Sequence, residues 1–130
     1  MKKQLYIPLS LLFISLSSLH ASPAEELAKK AATGNPEAMF EVGSIALLDR
    51  DYPQAMTLLT KASDKNHAPS QAALGFMYFN GYSCKKNIAK ARQLYELSAR
   101  AGAHQGLNNL AHMYRYGLAG LKKNASKAVE

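Results

Sequence analysis

Two short blocks of this chain occur twice in register, and that repetition restricts the fold more than any other feature of the sequence. Lys85-Lys86-Asn87-Ile88-Ala89-Lys90-Ala91 matches Lys122-Lys123-Asn124-Ala125-Ser126-Lys127-Ala128 at five of seven positions, 37 residues apart. Upstream, Leu74-Gly75-Phe76-Met77-Tyr78 followed by Gly81 is echoed 36 residues later by Leu110-Ala111-His112-Met113-Tyr114 followed by Gly117. A more diverged third copy carries Ala38, Val42-Gly43 and Ile45, then Ala55 and Ala62. A repeat of this length is a supersecondary unit that buries its apolar face by stacking on its neighbours.

Each unit reads as two helices. Leu74, Met77, Tyr78 and Gly81 recur at three- and four-residue spacing, which puts them on one helical face. Gly75 shares that face. A glycine inside a helix costs about 1 kcal/mol against alanine, so its presence predicts the close approach of another helix. Gly43 and Ala111 keep the same position small in the other units. The second helix carries Ala91, Leu94, Tyr95 and Ala99 on one side.

The ends are punctuated as helix ends should be. Ser22-Pro23-Ala24-Glu25 has the form of a capping box with proline at the first helical position, and Asp51 to Gln54 repeats it with Pro53. Asn87 and Asn124 stand where an N-cap is wanted. For Asn124-Ala125-Ser126, which also matches a glycosylation sequon, the helix start is the preferred reading. Gly34, Asn66 and Gly102 stand at corresponding C-terminal ends, where a left-handed residue closes a helix. Pro36 and Pro69 restart the chain. Helices are therefore predicted over 23–33, 36–47, 52–65, 69–80, 88–101, 104–116 and 125–130, and no stretch alternates like a strand. The expected fold is all-α, a solenoid of about three stacked antiparallel helix pairs.

The first residues belong to something else. Lys2 and Lys3 precede an apolar run from Leu5 to Leu19 that Ser10, Ser15, Ser17 and Ser18 dilute, and small residues follow at His20-Ala21-Ser22. That order is a secretory signal peptide, with cleavage expected after Ala21 and Ala24 as second choice. A membrane anchor is the competing reading, but crossing a bilayer takes roughly 20 consecutive apolar residues. The expected division is a leader over 1–21 and a helical-repeat domain over 22–130. The chain stops in the first turn of the seventh predicted helix, so the last unit is expected to be cut short. The expected location is the periplasm or the exterior of a bacterial cell, without stable membrane insertion after cleavage.

The formal charge of +7 becomes +5 once Lys2 and Lys3 are removed. This is moderately basic and only weakly favours a polyanionic partner. The single cysteine, Cys84, cannot form an internal disulfide, so stability must come from apolar packing. His67 and His104 fall in turns between units and His112 lies on a helix, with no zinc-ligand spacing among them. No serine, cysteine or carboxylate stands beside a partner base. The chain is accordingly read as a non-enzyme with no cofactor and no metal.

The repeated positions resemble the Sel-1-like repeat family of the tetratricopeptide superfamily. Leu74, Gly75, Tyr78, Gly81, Lys90, Ala91, Leu94, Tyr95, Ala99 and Gly102 match its pattern in one unit. Leu110, Tyr114, Gly117, Gly120, Lys127 and Ala128 match it in the next. Ser70 and Gly106 replace its leading alanine, Ser83 a glycine, and Asn87 and Asn124 its aspartate. Cys84 takes the place of an apolar valine and aligns with Leu121, which implies a packed small hydrophobe. The first unit places Ala55 12 residues after Gly43, against 16 from Gly75 to Ala91, and so looks like the shorter tetratricopeptide form.

The resemblance implies a concave surface built by the first helices, displaying Phe40, Ser44 and Leu47, then Ala72, Phe76, Phe79 and Asn80, then Asn108, His112, Arg115 and Tyr116. Exposed aromatics beside hydrogen-bonding groups suit capture of a protein or peptide. Phe76, Phe79, Asn80, His112, Arg115 and Tyr116 are the expected partner-binding residues. A second candidate is the basic edge formed by Lys85 and Lys86 and by Lys122 and Lys123. These turns have no interleaved stacking aromatics, which argues against nucleic acid. The leading expectation is an exported adaptor; the alternative is an inhibitor or immunity-type protein that blocks a toxin or hydrolase by occlusion. Nothing in the sequence sets an oligomeric state.

Overall fold

The computed structural model describes residues 21–121 and residue 127. Six helices follow one another: α1 Pro23–Ala32, α2 Pro36–Leu48, α3 Tyr52–Asp64, α4 Ala68–Asn80, α5 Ile88–Arg100 and α6 His104–Tyr116. Each boundary lies within one residue of its sequence-based expectation. The helix expected at 125–130 and the leader at 1–20 lie outside the described residues.

Local chemistry explains the starts. The Ser22 hydroxyl accepts from the Glu25 N–H at 3.2 Å while the Glu25 carboxylate accepts from the Ser22 N–H at 3.0 Å, a complete capping box. Asn35, Asp51 and Asn87 each accept an N–H from three residues on, at 2.9, 3.2 and 2.9 Å. Each of these side chains satisfies one of the donors that a helix start leaves open. His67 and Ala103, before α4 and α6, make no such bond.

All six helices end on a left-handed residue: Gly34, Arg50, Asn66, Gly81, Gly102 and Gly117. Around it the chain folds back onto its own last turn, as in the bonds Asn66 N–H to Ser63 carbonyl and His67 N–H to Ala62 carbonyl.

Neighbouring helices in sequence pack antiparallel as hairpins. In addition α2 meets α4 and α4 meets α6, whereas α3 and α5 do not meet. The row α2, α4, α6 is therefore the tight inner layer, and α1, α3 and α5 fan out behind it. This is the curvature of a solenoid whose concave side is made by the first helix of each unit.

The core is continuous along the stack. Ala31, Ala38, Met39 and Ala62 form one end; Ala46, Ala55, Leu59, Leu74, Met77 and Leu94 fill the middle; Ala91, Tyr95 and Met113 form the other end. Alanine and glycine recur because the helices approach closely. A Cβ at Gly75 would lie 2.7 Å from Tyr95 Cε1, and one at Gly43 would lie 3.0 Å from Leu59 Cγ. The expectation of a tight contact at Gly75 is met. The tightest contact was not foreseen: a Cβ at Gly106 would lie 2.5 Å from Ser98 Cβ and 2.7 Å from the Ala99 nitrogen. Ser98, and not Ala99, is the fully buried residue of that turn, and its hydroxyl donates to the Ala68 carbonyl at 2.7 Å.

Cys84 is half-buried, with its Sγ 3.7 Å from the Met77 carbonyl, and burial pushes its thiol above the ordinary value. That suits a packed side chain better than a reactive thiolate. Leu121, its counterpart in the next unit, likewise packs on the third core group.

Candidate functional site

The inner row of helices carries the exposed aromatics. Phe76 on α4 is 40% exposed and Tyr116 on α6 59% exposed. Between these helices Phe76, Phe79, Asn80, Tyr95, Asn109, His112 and Met113 line a hollow of about 160 Å³. Phe79 and His112 meet edge to face with centroids 6.4 Å apart, and the ring of Tyr116 lies tilted against His112 at 4.6 Å. The repeat explains the arrangement. Phe76 and His112 are equivalent positions of successive units, so stacking the units sets them side by side.

Four of the six expected partner-binding residues line this hollow, Phe76, Phe79 and Asn80 from α4 and His112 from α6, and Tyr116 stands beside it against His112. Arg115 is exposed on the same turn of α6 as His112 and Tyr116. Two expectations need correction. Phe79 is not a side chain standing clear of the fold; it is half-buried against Ala91, Tyr95 and Met113 and forms both groove wall and core. Ala72 is 1% exposed and belongs to no surface. The reason is the central place of α4, which packs on α2, α3, α5 and α6, so that its first two turns are covered on nearly every side. Asn80 is exposed, but its amide nitrogen donates to the Phe76 carbonyl at 2.8 Å and is tied to its own helix.

Of the proposed basic edge, Lys85 and Lys86 are exposed in the loop between α4 and α5. Lys122 and Lys123 lie outside the described residues. Lys127 is described, with its Nζ 5.3 Å from the centre of the Tyr114 ring.

Two features escaped the sequence reading. One is a second aromatic group, with the Tyr52 and Tyr82 rings stacked at 4.3 Å and Phe76 standing edge-on to Tyr82 at 5.8 Å. Tyr82 lies in the loop after α4, where helical periodicity gives no information about its direction. The other is His67, read as an ordinary turn histidine. Its Nδ1 is 2.7 Å from the buried Ser70 hydroxyl, its Nε2 is 2.9 Å from a Glu37 carboxylate oxygen, and its ring lies 5.3 Å from that of Phe40. It joins α2 to α4 across the unit boundary. A histidine standing where Ser, Asn or Asp usually caps a helix was the available signal.

Among the described residues no three or more His, Cys, Asp or Glu side chains are grouped so as to hold a metal ion, and no helix is long and apolar enough to cross a membrane. A larger hollow of about 900 Å³ lies at the α1–α2 end. It is an open corner lined by Glu26, Glu37 and Glu41 together with Leu27 and Ile45, with no aromatic anchor.

Paired helices, an inner aromatic row and small residues at every close crossing define an α-solenoid repeat protein. The chain belongs to the Sel1 repeat family, whose model matches residues 36–67, 68–102 and 104–130. It is 31% identical over 96 residues to protein sel-1 homolog 2 of Homo sapiens, covering 72% of this chain and 14% of that protein. It is 31% identical over 105 residues to the ERAD-associated E3 ubiquitin-protein ligase component HRD3B of Arabidopsis thaliana, covering 76% of this chain and 16% of that one. The chain thus spans only a small part of these curated relatives. Among solved structures it resembles a protective antigen of uropathogenic Escherichia coli that displays an SLR fold, with a TM-score of 0.72 and 29% identity over 84% of this chain and 24% of that one. A Sel1 repeat protein from Oxalobacter formigenes has the same TM-score at 22% identity over 86% and 88% of the two chains, a likeness of fold.

Proposed function

We propose that this protein is an exported adaptor that holds a protein or peptide segment in the concave groove between α4 and α6. The carrying observation is the hollow of about 160 Å³ between equivalent positions of successive units, walled by Phe76, Phe79 and His112. A cavity of about 150 Å³ accepts a molecule the size of benzene, so this one suits a single apolar side chain. Asn109 and His112 supply hydrogen-bonding groups at its edge for the backbone that carries that side chain. The walls stand on packed helices, so little ordering is left to be done on binding. The relative in Arabidopsis thaliana is described as a ligase component, a description that suits a part working through association. Export rests on the leader-like order of residues 1–21, and N-terminal sequencing of the exported chain is expected to begin at Ser22.

The test of binding is a Phe76→Ala, Arg115→Ala double variant carried through affinity capture from envelope extract beside the wild type. It keeps its helical circular dichroism and its melting transition, because both side chains are exposed, and it loses the captured partner. Truncation of a binding hot spot costs about 2 kcal/mol or more. Undiminished capture by this variant, with loss in a Lys85→Gln, Lys86→Gln variant, would move the site to the basic loop.

A further inference from the structure

The groove continues beyond Phe76 into a second hollow. Leu47, Leu48, Arg50, Tyr52, Phe76 and Tyr82 line about 430 Å³ at the C-terminal end of α2. Phe76 is the wall common to both hollows. Leu48 is 83% exposed, and the stacked rings of Tyr52 and Tyr82 line the same hollow. Apolar surface of this kind, left open beside a rigid aromatic pair, marks a contact.

The single charged residue in this wall is Arg50. Its neighbour Asp51 is engaged as the N-cap of α3, accepting the Gln54 N–H at 3.2 Å, and Asp49 is not part of the wall. Glu37 and Glu41 stand in the first turns of α2, about 16 Å and about 10 Å from Leu48 along the helix at 1.5 Å per residue. The hollow therefore has one cationic group and no carboxylate lining it.

Arg50 is also an anomaly of the fold. Six helices close on a left-handed residue; four of these residues are glycine and one is asparagine. Arg50 alone carries a long side chain there, at φ 63°. The closing bonds around it, Arg50 N–H to Leu47 carbonyl at 3.2 Å and Asp51 N–H to Ala46 carbonyl at 2.8 Å, are backbone bonds that glycine would make equally well. Glycine would close the backbone equally well; a cation suits a helix C-terminus through the helix dipole, and a guanidinium that also lines an aromatic hollow is placed to read carboxylates.

We infer that this second hollow is an anchor site for an extended acidic peptide, taking a large apolar side chain against Tyr52 and Tyr82 while Arg50 pairs with an adjacent carboxylate. The inference rests on the groove reading above and narrows it from any peptide to one in which an apolar anchor stands next to Asp or Glu. Phe76 then separates two anchors on one strand of peptide.

Fluorescence anisotropy with two labelled synthetic peptides in a Gly-Ser background tests it, one carrying Phe-Asp-Asp-Leu and the other Phe-Lys-Lys-Leu. The acidic peptide binds the full chain about fivefold tighter or more at low salt, and added salt narrows the difference. Arg50→Glu reverses the preference. Arg50→Gly abolishes it without lowering the melting temperature, an outcome that a purely structural arginine would not give. Tyr82→Ala weakens both peptides, and Lys86→Gln leaves the preference intact. Equal binding of the two peptides, binding of neither, or a preference untouched by both Arg50 variants overturns the inference. If Phe76→Ala weakens both peptides while the Arg50 variants change nothing, the groove stands and the acidic preference falls. If Phe76→Ala binds both peptides as the wild type does, the groove reading itself falls.

Discussion

The ring of Tyr95 lies against the backbone of Gly75, so closely that a methyl group on the glycine would meet Tyr95 Cε1 at 2.7 Å and Cδ1 at 2.9 Å. This contact seats α5 on α4 and turns the inner face of α4 toward α6. Gly43 and Gly106 mark close crossings elsewhere, but what each faces differs, and the differences set a graded prediction.

Alanine substitutions at the three glycines should rank in a definite order. At Gly43 the added methyl meets only Leu59 and Leu58 side chains, the nearest at 3.0 Å. A gain of about 1 kcal/mol in helix propensity offsets that crowding, and Gly43→Ala should be nearly neutral. At Gly75 the obstacle is a packed ring and the Ala91 carbonyl, so Gly75→Ala should cost about 1–2 kcal/mol. At Gly106 it is Ser98 Cβ at 2.5 Å and a backbone nitrogen at 2.7 Å. Here α5 and α6 must separate, at about 3 kcal/mol or more. Urea denaturation midpoints give the order, and equal losses at the three sites would contradict the helix pairings.

Tyr95 should make the fold sensitive to alkali. It is buried, and burial pushes its phenol up from the ordinary tyrosine range to about 12. An acid whose folded value is raised contributes stability that is complete below its unfolded value and is lost as pH rises through the folded one. The fold should therefore weaken between about pH 10 and about pH 12. In Tyr95→Phe that component of the loss should vanish, which denaturation midpoints taken across the window would reveal. An identical alkaline profile for the two proteins would mean that Tyr95 ionises as freely in the fold as outside it.

The join between α2 and α4 at His67 should also be measurable. His67→Ala removes the partner of the buried Ser70 hydroxyl and the ring beside Phe40, and should cost about 1–3 kcal/mol. Glu37→Ala removes only an exposed carboxylate and should cost less than about 1 kcal/mol. If the two costs prove equal and small, His67 does no more than occupy the turn.

Much of this fold was readable because repetition and helix punctuation agree. Capping residues such as Ser22, Asp51 and Asn87, with left-handed positions such as Gly34 and Gly102, bound the helices to within one residue. Repeat positions such as Gly75 located a close crossing. The family resemblance implied the inner row for Phe76, His112 and Tyr116. What escaped depends on neighbours distant in sequence. Ala72 read as surface because the repeat pattern assigns faces within one unit, whereas four other helices pack on α4. Phe79 read as free of the core for the same reason. Gly106 passed as a mild departure, since its importance lies in Ser98 on the preceding helix. Tyr82 sits in a loop, and only the fold brings it onto Tyr52. Arg50 was the subtler omission: its place in the series of left-handed helix ends was visible in the sequence, but only the folded chain sets it beside an aromatic hollow.

The most direct measurement is site-specific photo-crosslinking in cells that express the full chain. A photoreactive residue is introduced in turn at Phe76 on the inner row and at Gln93, which is exposed on the outer helix α5. A groove adaptor predicts a discrete crosslinked product from position 76, diminished by Arg115→Ala, and none from position 93. A product from position 93 alone, or equal products from both, would contradict binding in the concave groove.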